Sequence, residues 1–179
     1  MRWQDLNREV ASKLQGDPAL ADERPFILID SSKQRLDWIN LDAADNLRFP
    51  VSTAAKGIGN RLDSLQTPFG IHRIRQKIGG GQPLGAVFKA REPSGKVVKH
   101  MDNRDEDEIT SRILWLDGLE EGVNRGGVYD TFSRYIYIHG TSDEKRIGQA
   151  VSGGCIRMKN DDVIALFDQV LINDLVIIR

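Results

Sequence analysis

Phe26-Ile27-Leu28-Ile29-Asp30-Ser31-Ser32-Lys33-Gln34-Arg35-Leu36-Asp37-Trp38-Ile39 is two short apolar runs joined by four polar residues, and it reads as a β-hairpin. Outward from it the β-type pattern continues. Further strands are expected over 47–53, 70–78, 86–90, 113–116, 135–139 and 175–178, separated by turn residues such as Gly79-Gly80-Gly81 and Glu92-Pro93-Ser94-Gly95. Helical spacing occurs in two places. Trp3, Leu6, Val10 and Leu14 form one stripe that ends near Gly16-Asp17-Pro18. Val163, Leu166, Phe167 and Val170 form another, with Asn160 as its expected cap and Asp161 and Asp162 at its positive end. Strands dominate and helices sit towards the two ends. The expected class is therefore α+β, mostly β, with a mixed or antiparallel sheet rather than alternating βαβ units.

The chain has 179 residues, 40% hydrophobic and 28% charged, which suits a core large enough to stand without disulfide or metal staples. Residues 1–24 are expected to be a helical extension and 25–179 the main domain. A net charge of −1 points away from nucleic acid and from anionic membrane surfaces as partners. No apolar run reaches the roughly 18 residues of a membrane-spanning helix. Met1 to Val10 lacks the apolar stretch of a secretory signal. The expectation from this terminus is a cytoplasmic protein, or a periplasmic one for a chain trimmed of its signal.

The chemistry concentrates near residue 155. Cys155 is the one cysteine, so it has no internal disulfide partner. It follows Ser152-Gly153-Gly154, where no side chain shields the backbone amides, and Tyr135-Ile136-Tyr137-Ile138 runs into His139 upstream. A thiol attacks as thiolate, and a histidine close in space supplies the base. Unshielded amides suit a tetrahedral oxyanion, and an arginine at 157 suits a carboxylate. Together these parts predict a cysteine acyl-transfer enzyme. His72 alternates with apolar neighbours and reads as a surface strand residue. His100 and the acidic stretch of 99–110 lack metal-ligand spacing, so no metal is expected. Gly57, Gly59 and the glycines at 79–81 match no phosphate loop, so no cofactor is expected either; they read as turn residues near a cleft. Trp3, Trp38 and Trp115 are expected in the core.

His139-Gly140-Thr141, Ile147-Gly148 and Val151-Ser152-Gly153-Gly154-Cys155-Ile156-Arg157-Met158 resemble the signature of the L,D-transpeptidase catalytic domain, the YkuD-type family. Phe49-Pro50-Val51-Ser52-Thr53-Ala54, the turn Gln66-Thr67-Pro68-Phe69-Gly70 and Asp162-Val163 fit as well, and the similarity spans roughly 25–179. The resemblance implies attack on the bond between the L-centre of a diamino acid and a terminal D-alanine in peptidoglycan stem peptides. It makes Cys155 the nucleophile and His139 its base, with the Gly140 carbonyl orienting the imidazole. The amides of Gly153, Gly154 and Cys155 become the oxyanion hole, and Arg157, Thr141 and Ser152 the substrate-binding residues. One departure stands out: many members carry histidine where this chain has Gly153. Peptidoglycan tetrapeptides or muropeptides are the implied substrates. The expected reaction is L,D-carboxypeptidase conversion of tetrapeptide to tripeptide in peptidoglycan recycling. The alternatives are an L,D-transpeptidase that crosslinks the cell wall and a module that binds peptidoglycan peptides without cutting them.

Overall fold

The structure, a computed structural model, describes residues 25–40, 46–101 and 107–179; the helix expected over 3–14 lies outside them. The described residues form β1 (Phe26–Asp30), β2 (Arg35–Ile39), β3 (Leu47–Pro50), β4 (Gly70–Ile78), β5 (Ala86–Lys89), β6 (Glu92–Val97), β7 (Ile109–Gly118), β8 (Tyr137–Thr141), β9 (Ile156–Met158), α1 (Asn160–Gln169) and β10 (Leu175–Ile178).

β1 is buried along its whole length. It lies between β2, antiparallel, and β10, parallel. Ile27 and Ile29 face one apolar layer while Phe26 and Leu28 face another. Burial on both faces explains why its sequence is a continuous apolar run rather than an alternating one. From β1 the sheet runs β3-β2-β1-β10-β4-β7. β7 carries β8 along one edge, and β4 followed by β5 along the other. β9 then adds in parallel to β8. The chain leaving β3 comes back to this far end. Ser52 N donates to Arg157 O and Arg157 N to Ser52 O, each at 2.9 Å, so the mixed sheet curls until its ends meet.

One face of the curl holds the main core. Ile27, Ile74, Leu114, Leu116, Ile138, Ile156, Met158 and Val176 pack there against Val163, Leu166 and Phe167 of α1. The expected helical stripe is the buried one. Asn160, however, does not cap α1: the N-cap position is Lys159, with no side-chain cap bond. Asn160 is itself buried, and its Oδ1 accepts from Thr110 Oγ1 and Ser111 Oγ, both at 2.6 Å. Its Nδ2 donates to Thr141 O at 2.8 Å and Glu144 Oε1 at 2.7 Å. The Glu144 carboxylate also accepts from the Asn160 amide at 2.7 Å, which places a negative charge at the helix's positive end. This knot ties α1 to the ends of β7 and β8.

Three expectations change for local reasons. β8 begins at Tyr137 rather than Tyr135, because Tyr135 sits at φ +56° and breaks the strand there. β7 starts four residues earlier than expected, since its polar opening, Thr110, Ser111 and Arg112, is buried through hydroxyl and guanidinium bonds rather than apolar contact. β6, expected as a turn, is a strand whose six residues are all exposed, so it needs no apolar pattern.

Candidate active site

In the parallel pair of β8 and β9, His139 stands opposite Arg157. Side chains alternate along a strand, so Tyr137, His139, Cys155 and Arg157 share one face. Ile138, Ile156 and Met158 point the other way into the main core, while Tyr137 and Cys155 belong to a separate cluster with Ala86, Phe88, Ile113 and Trp115. The sequence motif thus becomes a site because two short strands are parallel and in register.

Cys155 is delivered by a bend that only glycine permits. Gly154 lies at φ +139°, and a Cβ there would meet Ile136 Cδ1 at 3.3 Å. Thr67 Oγ1 donates to Gly154 O at 2.9 Å, and Ser152 Oγ donates to Cys155 O at 2.5 Å. Sγ then receives the Tyr137 amide at 3.4 Å and donates to Tyr135 O at 3.5 Å. These are the contacts of a protonated thiol. Burial pushes its pKa up to about 11, against the opposing pull of the Tyr137 amide and of Arg157.

His139 is 3% exposed, and its Nδ1 lies 2.7 Å from Gly140 O. A carbonyl only accepts, so Nδ1 carries the proton and Nε2 keeps its lone pair. Burial holds the imidazole neutral, with its pKa lowered to about 4. Gly140 has no room for a side chain: a Cβ would lie 2.6 Å from both Asn160 Oδ1 and Thr110 O. The knot at the start of α1 therefore sets the carbonyl that sets the imidazole.

The remaining sequence candidates are placed differently from one another. Thr141 is wholly buried, and its hydroxyl accepts from the Asp143 amide at 3.1 Å, so it braces a turn. Ser152 braces the bend, and it also takes the Gly154 amide at 3.2 Å. Of the three amides expected at an oxyanion hole, that of Gly154 is thus spent on Ser152, while those of Gly153 and Cys155 bond to no acceptor among the described residues. Among the described residues nothing lies within 4 Å of a Cβ at Gly153, which leaves that side open. Arg157 is buried, and its Nη2 is ion-paired with Asp107. Asp107 falls in the acidic stretch of 99–110, where nothing in the local sequence signals this pairing. Tyr137 was legible only through its spacing of two from His139. Arg134 is half-buried beside the thiol and donates to Gln66 O at 2.7 Å and Gly59 O at 3.1 Å, supporting the loop against Gly154.

The model for the L,D-transpeptidase catalytic domain, YkuD, matches residues 24–178. This chain belongs to that family. Over 48 residues it is 46% identical to a putative L,D-transpeptidase, YqjB, of Bacillus subtilis, covering 27% of each chain. Over a similar stretch it is 48% identical to the probable L,D-transpeptidase ErfK/SrfK of Escherichia coli, covering 26% of this chain and 16% of that one. The chain thus spans about a quarter or less of the length of these relatives within the match. Among solved structures, an L,D-transpeptidase from Mycobacterium smegmatis superposes with a TM-score of 0.53 at 16% identity, over 87% of this chain and 58% of that one. L,D-transpeptidase 3 from Mycobacterium tuberculosis, solved with a faropenem-derived adduct, gives the same score and identity over 87% and 60%. These likenesses are of fold: a curled, mostly β sheet with one α-helix among the described residues.

Within this L,D-transpeptidase-type sheet, His72 is not on the surface as its alternation suggests. It is fully buried, with Nδ1 at 3.1 Å from Gly70 O and Nε2 at 3.2 Å from Thr131 Oγ1, and burial lowers its pKa to about 4. Two neutral buried histidines make the fold acid-sensitive. In the unfolded chain each takes a proton near pH 6.5, whereas in the folded chain neither does until about pH 4. Below 6.5 the unfolded state therefore binds more protons, and stability falls as pH falls, by about 2 kcal/mol for each histidine by pH 5. Melting temperature should drop between pH 6.5 and 5, before ordinary carboxylates titrate. A level melting temperature across that window would contradict the buried neutral state.

Proposed function

We propose that this domain is a cysteine acyl-transfer enzyme acting on peptidoglycan stem peptides, opening the bond between the L-centre of the diamino acid and a terminal D-alanine. The observation that carries the reading is the shared face of β8 and β9, with a tautomer-fixed His139 and the Cys155 thiol beside unbonded amides. His139 Nε2 takes the Sγ proton as the thiolate attacks the L-centre carbonyl. The amides of Gly153 and Cys155 receive the developing oxyanion. The amine of D-alanine leaves with the proton from the imidazolium, and a thioester remains on Cys155. Because thiol and imidazole are both neutral at rest, proton transfer accompanies attack rather than preceding it.

Water is the proposed acceptor in the second half, which makes the enzyme an L,D-carboxypeptidase. Among the described residues nothing lies within 4 Å of a Cβ at Gly153, so there is space for a water beside the bend that carries Cys155. His139 removes a proton from that water, and the thiol leaves with it. Mass spectrometry of products from a defined disaccharide tetrapeptide, with and without a second stem peptide as amine acceptor, tests the assignment. Tripeptide and free D-alanine are expected in both. Crosslinked dimer without tripeptide would replace water by an amine; no product in either would sink the acyl-transfer reading.

A further inference from the structure

The hairpin of β5 and β6 turns through Ala90 and Arg91, with Lys89 paired to Glu92 across the turn. Both turn residues have positive φ, +49° and +71°. That is the backbone of a two-residue type I′ turn, where glycine and asparagine are usual, and a side chain with a Cβ is disfavoured at each position. Strain held by two non-glycine residues invites a reason.

The reason lies at the tip. The Arg91 guanidinium sits 4.9 Å from the centre of the Trp115 ring and 5.1 Å from that of Tyr135, and its Nη1 donates to Tyr137 Oη at 3.3 Å. Tyr135 and Tyr137 are the two residues whose backbone groups hold the Cys155 thiol. Arg91 is therefore one tyrosine side chain away from the nucleophile, on its face of the sheet. Among the described residues it has no acid partner within ion-pair distance. Arg157, by contrast, is already engaged by Asp107. Aromatic faces fix the plane of the Arg91 guanidinium while leaving most of its donors unspent. Trp115 is itself held by stacking on Phe132, with centroids 4.1 Å apart, and by Nε1 donating to Phe132 O at 3.1 Å. A hollow of about 420 Å³ opens beside this platform, lined by Gln76, Gly79, Gly80, Phe88, Arg91 and Glu92 among others.

We propose that Arg91 binds a carboxylate of the donor peptide beside the thiol, and that it, rather than Arg157, sets the preference for an acidic donor. The assignment rests on the acyl-donor reading above. Such a carboxylate comes either from the terminal residue or from the side chain of the diamino acid. A cation stacked on aromatic rings, presented as a planar fork, suits either one.

The test measures binding by calorimetry to Cys155→Ala protein, with and without Arg91→Asn. Asparagine tolerates positive φ, so the turn should persist, and an unchanged melting temperature checks this. Three tetrapeptides are compared: the free acid, one amidated at the terminal residue and one amidated at the diamino acid side chain. Arg91→Asn should weaken the free acid at least tenfold. It should weaken one amide equally and leave the other unchanged, which identifies the carboxylate. Arg91→Lys, which keeps the charge but loses the fork, should fall between. Affinity for the free acid within twofold of the parent would overturn the proposal, as would an equal loss on all three peptides or no binding of any peptide to the parent. Arg91-dependent binding by a protein that, with Cys155 intact, converts no tetrapeptide would keep the site and refute the reaction.

Discussion

Replacing Cys155 by alanine should lower turnover of a tetrapeptide donor by about 10⁴-fold or more, while leaving donor affinity within a few-fold. The chain has no second cysteine to take over. Among the described residues Sγ makes two long hydrogen bonds, with the Tyr137 amide and the Tyr135 carbonyl, and the side chain packs at the edge of the cluster of Ala86, Phe88, Ile113, Trp115 and Tyr137, which alanine leaves in place. Removing it deletes the bond-forming atom and little else. Serine in the same place should recover almost nothing, because an alcohol in a site that already pushes a thiol to about 11 is further still from its anion. Progress curves with the free-acid tetrapeptide, together with calorimetric affinities, check both halves. A variant with normal turnover would remove Cys155 from the reaction. A domain that only binds peptides would be indifferent in both measurements.

His139→Ala should cost about 10²–10⁴ in turnover at pH 7, and it should change the shape of the pH profile. With the thiol near pKa 11, about one molecule in 10⁴ is thiolate at pH 7 without a base. The neutral imidazole, lowered to about 4, supplies that base throughout pH 5 to 9, so wild-type kcat/KM should be nearly level there. Without it, turnover follows free thiolate and should rise close to tenfold per pH unit. The gap between the two proteins should therefore narrow as pH rises. A variant profile parallel to wild type would show that His139 is not the proton acceptor.

The sheet was legible where burial is simple. β1, β2 and β10 fall where their β-type runs end, since each is bounded by turn residues and packed on apolar layers. It was illegible where polar groups are buried in partnership. The opening of β7 is held by Asn160, fifty residues away, and no local pattern announces that bond. Cys155 and His139 stood out because a lone thiol behind two glycines and a histidine after a β-type run are visible in one dimension. That they share a face required the parallel register of a three-residue strand. Arg157 shows the opposite limit. A cation two residues from a thiol looks available until folding brings Asp107 to it. Arg91 carried no signal at all, because its place over Trp115 depends on a turn that its own sequence disfavours.

Intact-mass spectrometry after rapid mixing with a peptidoglycan tetrapeptide and acid quench addresses the proposed acyl-enzyme most directly. The expected species is the protein plus the tetrapeptide less D-alanine, mapped to Cys155 by peptide digestion and absent from Cys155→Ala. Conversion of tetrapeptide with no such adduct, or an adduct on another residue that survives Cys155→Ala, would contradict nucleophilic catalysis at this thiol.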